Sequence, residues 1–190
     1  MHNIYSQAYY KQNSITAEQS AAIIIPCLLN DWIQPKSVID LGCGTGTWLA
    51  EFKRNGITNI KGIDGDWIPR NQLKITPEEF TPHDLTQPYT TIERYDLAIS
   101  LETAQHLEEI YTRTFITSLC NTSNIIMFSA ARPDQHGIGH VNEQPPDYWI
   151  KLFAEQGYNF KLHFGWQFND NNNVSRCYVQ NLMILAKETS

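Results

Sequence analysis

Cysteine is scarce and scattered. Cys27, Cys43, Cys120 and Cys177 are the only four in 190 residues, and no two form a C-x-x-C pair. That spacing argues against a zinc ribbon or a disulfide framework and fits reduced thiols in a cytoplasmic protein. Positive charge is also short: 14 Lys plus Arg against 20 Asp plus Glu give a net charge of −6 with His neutral. A general polyanion binder needs a cationic surface to displace counterions, so this balance argues against nucleic acid as a partner, one locally basic groove aside. No apolar run reaches the roughly 20 residues that cross a bilayer, and the longest, 21–29, is interrupted by Pro26. The opening Met1-His2-Asn3-Ile4-Tyr5 lacks the basic-then-apolar pattern of a secretory signal. Internal repeats and long low-complexity tracts are missing as well.

What is present points to a folded globule. Apolar residues make up 42% and aromatics 12% of the chain, which argues against disorder. A chain of this length suits one domain, 1–190, and buries about 70% of its unfolded surface without needing disulfides. Thr16 and Gln19 have capping-box spacing and predict a helix from Ala17 to Leu29, inside an N-terminal helical segment 1–36. Short apolar runs at 37–41, 59–63, 95–101 and 124–128 read as strands covered on both faces. Between them, 48–54, 103–119 and 147–156 have helical patterning. Two further runs, 160–164 and 178–186, flank the polar Asn169-Asp170-Asn171-Asn172-Asn173 loop and predict an antiparallel pair at the sheet edge. The fold class is therefore α/β: a doubly wound, mostly parallel sheet with helices on both faces and an antiparallel C-terminal hairpin over 37–190.

The chemistry concentrates after the first strand, in Asp40-Leu41-Gly42-Cys43-Gly44-Thr45-Gly46. Alternate glycines let the backbone turn sharply and approach a ligand, and the helix that follows turns its free N–H groups toward the loop. No Gly-Lys-Ser/Thr follows, which excludes a Walker loop. Asp64 ends the second strand, where a carboxylate can accept both hydroxyl hydrogens of a ribose.

This acid-led G-x-G-x-G pattern resembles motif I of the class I, Rossmann-like S-adenosylmethionine-dependent methyltransferases, and the resemblance extends over 37–158. It implies a seven-stranded sheet with the last strand antiparallel, and S-adenosylmethionine as cofactor. On this sequence it implies that Asp40, Gly42, Cys43, Gly44 and Gly46 hold the methionine moiety. Asp64 binds the ribose, with Asp66 as a fallback. Asp84 and Leu85 bracket the adenine, and Ser100 and Leu101 line the methionine side through backbone groups. Trp67 is a candidate cover for the adenine, and Tyr5, Tyr9 and Tyr10 precede the first helix, where related enzymes fold a segment over the cofactor; ordinary packing is the alternative for both.

Acceptor chemistry is expected after the fourth and fifth strands, where His106, His136 and His140 lie. A histidine is the natural proton acceptor at neutral pH; Glu102, His106 and His140 are the candidate catalytic residues. Glu102 and His106, four apart, would share one helix face, as would His136 and His140, so a divalent metal that polarises a hydroxyl is the alternative. That spacing is similar to the E-x-x-E-H of small-RNA 3′-terminal 2′-O-methyltransferases, but Gln105 stands where a second carboxylate belongs. Asn142 and Glu143 are candidates for orienting the acceptor, and Gly137 and Gly139 for letting their loop move as a lid. The function the resemblance implies is S-adenosylmethionine-dependent methylation, on oxygen ahead of nitrogen, of a small-molecule, sugar or peptide acceptor. The alternatives are a metal-assisted RNA-terminal 2′-O-methyltransferase and a non-catalytic cofactor-binding partner subunit.

Overall fold

The computed structural model describes residues 7–188, with side chains from residue 15 onward. The chain opens with helix α1 (Gln7–Asp31). Ala21, Ile24, Ile25 and Leu28, spaced three and four apart, are fully buried along one of its faces. The helix starts about ten residues before the predicted point. Thr16 is not its cap, because the good helix formers at 7–12 extend it backwards; the Thr16 carbonyl instead accepts from the Ser20 hydroxyl (2.8 Å). Tyr9 and Tyr10 thus lie within α1 rather than before it, and Tyr5 lies outside the described residues.

Strand β1 (Ser37–Leu41) leads through the glycine loop into α2 (Thr47–Arg54), followed by β2 (Asn59–Asp64) and the short β3 (Phe80–Pro82). Then come β4 (Leu97–Leu101), α3 (Thr112–Thr122), β5 (Ile125–Ser129), α4 (Pro146–Glu155), β6 (Tyr158–Leu162), α5 (Arg176–Asn181) and β7 (Met183–Lys187). Among the described residues the strands form one seven-stranded sheet in the order β3-β2-β1-β4-β5-β7-β6. The pairs from β3 to β5 are parallel, while β7 runs antiparallel to both β5 and β6. All five β1 residues and all five β4 residues are buried. Alternation sends Val38 into the core beneath α1, α2 and α5, and Ile39 and Leu41 into the core beneath α3 and α4. In the second core Phe128 packs against Trp149 and Phe153 at ring separations of 5.4 and 5.1 Å.

Two predicted elements are corrected. The run 178–186 is not one strand: Arg176–Asn181 is helical, and β7 begins at Met183. Tyr178, Val179 and Leu182 bury at helical spacing, and the backbone carbonyls of Tyr178 and Val179 lie so close to Gly165 that a Cβ there would sit 2.1 and 2.6 Å from them. Likewise 103–119 is not one helix. Single 3-10 turns at Ala104–His106 and Glu109–Tyr111 precede α3. The strand order reverses between β1 and β4, so the carboxyl ends of these neighbours open a crevice, the usual ligand position in doubly wound sheets. Among the described residues no helix is long and apolar enough to cross a membrane.

Candidate active site

The glycine loop forms the floor of that crevice. Gly42, Gly44 and Gly46 have φ of +91°, +54° and +82°, left-handed conformations that glycine adopts without a Cβ penalty. The Gly42 and Cys43 N–H groups donate to the Ile63 carbonyl (2.8 and 3.2 Å), and Gly46 N–H donates to the Cys43 carbonyl (2.8 Å). A Cβ on Gly42 would lie 2.2 Å from Thr103, and one on Gly46 would lie 2.8 Å from Ile75; one on Gly44 would meet nothing within 4 Å. The loop is thus packed tightly at both ends and open at its centre.

Asp64 accepts the Gly44 N–H on one oxygen (2.7 Å) and the Gly65 N–H on the other (2.6 Å). Burial pushes its carboxyl pKa up, opposed by these two amides. Beyond it lie Asp66, ion-paired to Arg70 (2.6 Å), and the partly exposed Trp67. Asp84 accepts from the Thr86 N–H and hydroxyl on Oδ1 (3.0 and 2.8 Å), and Leu85 is beside it. All five line the cleft, together with Gly42, Cys43, Gly44 and Leu101.

Asp40, Gly46 and Ser100 do not line it. Asp40 is 2% exposed beneath the loop, its Oδ1 without a partner, and burial, then the Asp64 carboxylate, raise its pKa well above the usual range. The Ser100 side chain is fully buried because strand alternation turns Leu101, not its neighbour, to the cleft, which leaves Ser100 only its backbone groups to offer there.

At the other end Glu102 leaves β4 with φ +54°, a left-handed conformation rare outside glycine. Its N–H donates to the carbonyl and hydroxyl of Ser129 (2.9 and 3.1 Å). Glu102 and His106 do not share a helix face, since only a single 3-10 turn lies between them. His136 and His140 belong to a loop, with His136 turned outward and His140 inward. The metal geometry expected from the four-residue spacings is therefore corrected: among the described residues no three His, Cys, Asp or Glu side chains gather as a metal site.

The two inward histidines meet edge to face, ring centres 5.0 Å apart. His106 Nδ1 lies 3.1 Å from the Gly139 carbonyl, so it carries the proton, and burial holds this imidazole below its ordinary pKa. His140 Nδ1 lies 2.6 Å from Glu143 Oε1 and 3.1 Å from the Gly137 nitrogen. These contacts need opposite tautomers. The shorter one decides, because the His140 hydrogen bond holds Glu143 below the usual carboxylate range, as an ionised acceptor. His140 then donates from Nδ1 and keeps a basic lone pair on Nε2. Gly137 makes room for the ring; a Cβ there would be 2.1 Å from Nε2.

Asn142 is engaged within the protein. It is 3% exposed, donates to the Thr112 hydroxyl (2.9 Å) and accepts from Gln144 (3.0 Å), which fastens the loop to α3. The loop is further tied down by Val141 and Asn142 N–H groups donating to the Gln105 carbonyl (2.9 and 3.1 Å). Sequence reading missed the amide wall beside Glu102. Asn181 donates to Glu102 Oε1 (3.1 Å) and to Gln135 Oε1 (2.9 Å), and Gln135 donates to Gln180 Oε1 (2.8 Å). No local pattern announces contacts between residues 45 to 79 apart.

The cleft measures about 1580 Å³, above the ~300–1,000 Å³ of a site for one small ligand. It has room for a nucleoside-sized molecule at the glycine loop and a second molecule toward the histidines.

A family model described as a methyltransferase domain matches residues 17–163. Ribosomal protein L11 methyltransferase of Helicobacter pylori (strain Shi470) is 21% identical over 159 residues, covering 74% of this chain and 47% of that protein, so the chain spans about half the length of this curated relative. Among solved structures, CalS10, an amino pentose methyltransferase from Micromonospora echinaspora with SAM bound, superimposes with a TM-score of 0.68 at 14% identity, covering 98% of this chain and 99% of that one. Magnesium protoporphyrin IX methyltransferase from Synechocystis PCC 6803 with bound SAH gives 0.66 at 14% identity, over 97% and 90%. Both likenesses are of fold.

Proposed function

The chain belongs to the methyltransferase domain family, and from that premise we propose that it methylates a hydroxyl oxygen of a small molecule, sugar or peptide, using S-adenosylmethionine. The residues present fit this cofactor: the loop is open at Gly44, where a Cβ would meet nothing, and Asp64 stands beside it at the cleft wall. Gly42, Cys43 and Gly44 would hold the amino-acid portion, Asp64 the ribose, and Asp84 and Leu85 the adenine. When bound, the cofactor supplies a methyl carbon activated by a positively charged sulfur.

The chain's own part is alignment and proton removal. A hydroxyl placed against His140 loses its proton to Nε2. The resulting imidazolium is stabilised through Nδ1–H by Glu143, which also fixes the ring's orientation. The single observation behind this assignment is the 2.6 Å contact between His140 and Glu143 at the edge of the cleft. Glu102 and His106 form the adjoining wall, with His106 neutral against its neighbour.

The test is methyl transfer from methyl-labelled S-adenosylmethionine into a mixture of small polar hydroxyl compounds. His140→Ala is expected to lower kcat by about 10²–10⁴-fold, the usual worth of a positioned base, and to leave affinity for S-adenosylhomocysteine unchanged. Turnover should persist in a chelator. Undiminished kcat in His140→Ala would remove the base assignment, and loss of turnover on chelation would favour a metal in its place.

A further inference from the structure

We propose that the acceptor carries a protonated amine and is seated with its ammonium against Glu102. This rests on the methyltransferase reading and adds the chemical class of the acceptor.

The cleft has a strong charge bias. Its lining includes the carboxylates of Asp64, Asp66, Asp84, Glu102 and Glu108, against one permanently charged base, Arg176. An acceptor bearing a carboxylate or phosphate would enter against that field. Asp64 and Asp84 stand at the nucleoside end, and Asp66 is paired with Arg70. Glu102 stands at the other end, beside His106 and His140.

Glu102 is only half compensated. Each of its oxygens accepts one amide hydrogen, Oε1 from Asn181 (3.1 Å) and Oε2 from Gln105 (3.3 Å), and each has a second lone pair to offer. Among the described residues no Lys or Arg forms an ion pair with it. His106 is kept neutral by burial, and the Nδ1 proton of His140 is committed to Glu143. The amides satisfy hydrogen bonds without supplying a full charge, and burial pushes the Glu102 carboxyl pKa up against the opposing pull of Asn181, the Ser129 hydroxyl, nearby His140 and Gln105; a cation seated there would favour the ionised form.

A second, independent feature points to the same kind of ligand. Gln105 lines the cleft at 1% exposure, and its Oε1 has no partner. The Nε2 end is engaged with Glu102, so the open end can only accept. Asn181, also 1% exposed, stands behind Glu102 and outside the cleft lining; its nitrogen donates to Glu102 and Gln135 and so orients the carboxylate. The surroundings of Glu102 therefore offer acceptors and one negative charge. An ammonium has three N–H donors, no acceptor and one positive charge. A neutral polyol would satisfy the amide oxygen and leave the carboxylate unmatched.

The experiment uses the full chain loaded with S-adenosylhomocysteine and three probes of matched shape: cyclohexylamine, cyclohexanol and cyclohexanecarboxylate. Binding is read by saturation-transfer NMR and titration. The expected order is amine over alcohol, with no binding of the carboxylate. Glu102→Gln should reduce amine affinity at least tenfold and abolish the preference, while Gln105→Met, which keeps the charge, should weaken amine and alcohol together. Equal or tighter binding of the carboxylate, no binding of the amine, or an amine preference that survives in Glu102→Gln would each overturn the proposal. Should Glu102→Gln fail to fold, the ranking in the unaltered protein still decides. Titration of S-adenosylhomocysteine itself separates the two claims: failure there removes the methyltransferase reading, whereas normal cofactor binding without an amine preference removes only this one.

Discussion

Gly42 and Gly44 differ in what a side chain would do. At Gly42 a methyl group adds a collision with Thr103 at 2.2 Å to the strain of φ +91°; at Gly44 only the φ +54° strain applies. Gly44→Ala is expected to lower folding stability by about 1–2 kcal/mol, the left-handed penalty alone. Gly42→Ala should lose clearly more, because overpacking adds a further ~1–3 kcal/mol. Urea unfolding of both variants checks the order. Cofactor affinity should respond differently, since the new methyl of Gly44→Ala projects into the open centre of the loop. Asp64→Ala should weaken S-adenosylhomocysteine binding by roughly 1.5–3 kcal/mol, the worth of hydrogen bonds to a charged group. An unaltered titration would take Asp64 out of the site. These residues were legible in the sequence because their demand is local: alternate glycines before a helix, and an acid at a strand end. The Glu143–His140 contact was less legible. Only three residues separate the pair, but the contact depends on a loop in which Asp134, His136 and Gly139 all have positive φ. The wall of Gln135, Gln180 and Asn181 was not legible at all, because polar residues this far apart meet only once the sheet has formed.

Among the elements, the parallel strands are the part that apolar runs announce, and β1, β2, β4 and β5 lie within two residues of the predicted ends. Two segments defeated periodicity. Tyr178–Leu182 carries its apolar residues Tyr178, Val179 and Leu182 in a stretch too short for periodicity alone to separate from the strand that follows, and packing on Trp48 and Gly165 chooses the helix. The segment after β4 carries helical spacing, but Thr103 must close over Gly42 and Glu102 must turn toward Asn181, which breaks it into single turns. His106 sits in one of these turns, and burial lowers its pKa. Below about pH 6.5 the unfolded chain therefore binds a proton that the folded chain refuses, and stability falls with pH in that window. His106→Gln should lose less stability than the parent between pH 7 and 5. Denaturation curves that stay parallel for the two proteins across this range would contradict the burial argument.

For the molecule as a whole, function follows from where the strand order turns. The reversal between β1 and β4 creates the crevice, the glycine loop and Asp64 occupy one end, and the segments after β4 and β5 bring Glu102, His106 and His140 to the other. The overall acidity noted in the composition is concentrated in this cleft, which ties net charge to acceptor choice rather than to fold. All of it depends on a nucleoside cofactor lying across the strand ends. Calorimetric titration of the purified chain with S-adenosylhomocysteine is the direct test. The account predicts saturable one-to-one binding that competes with S-adenosylmethionine and weakens in Asp64→Ala. No heat and no competition with either compound, in protein shown to be folded, would contradict it.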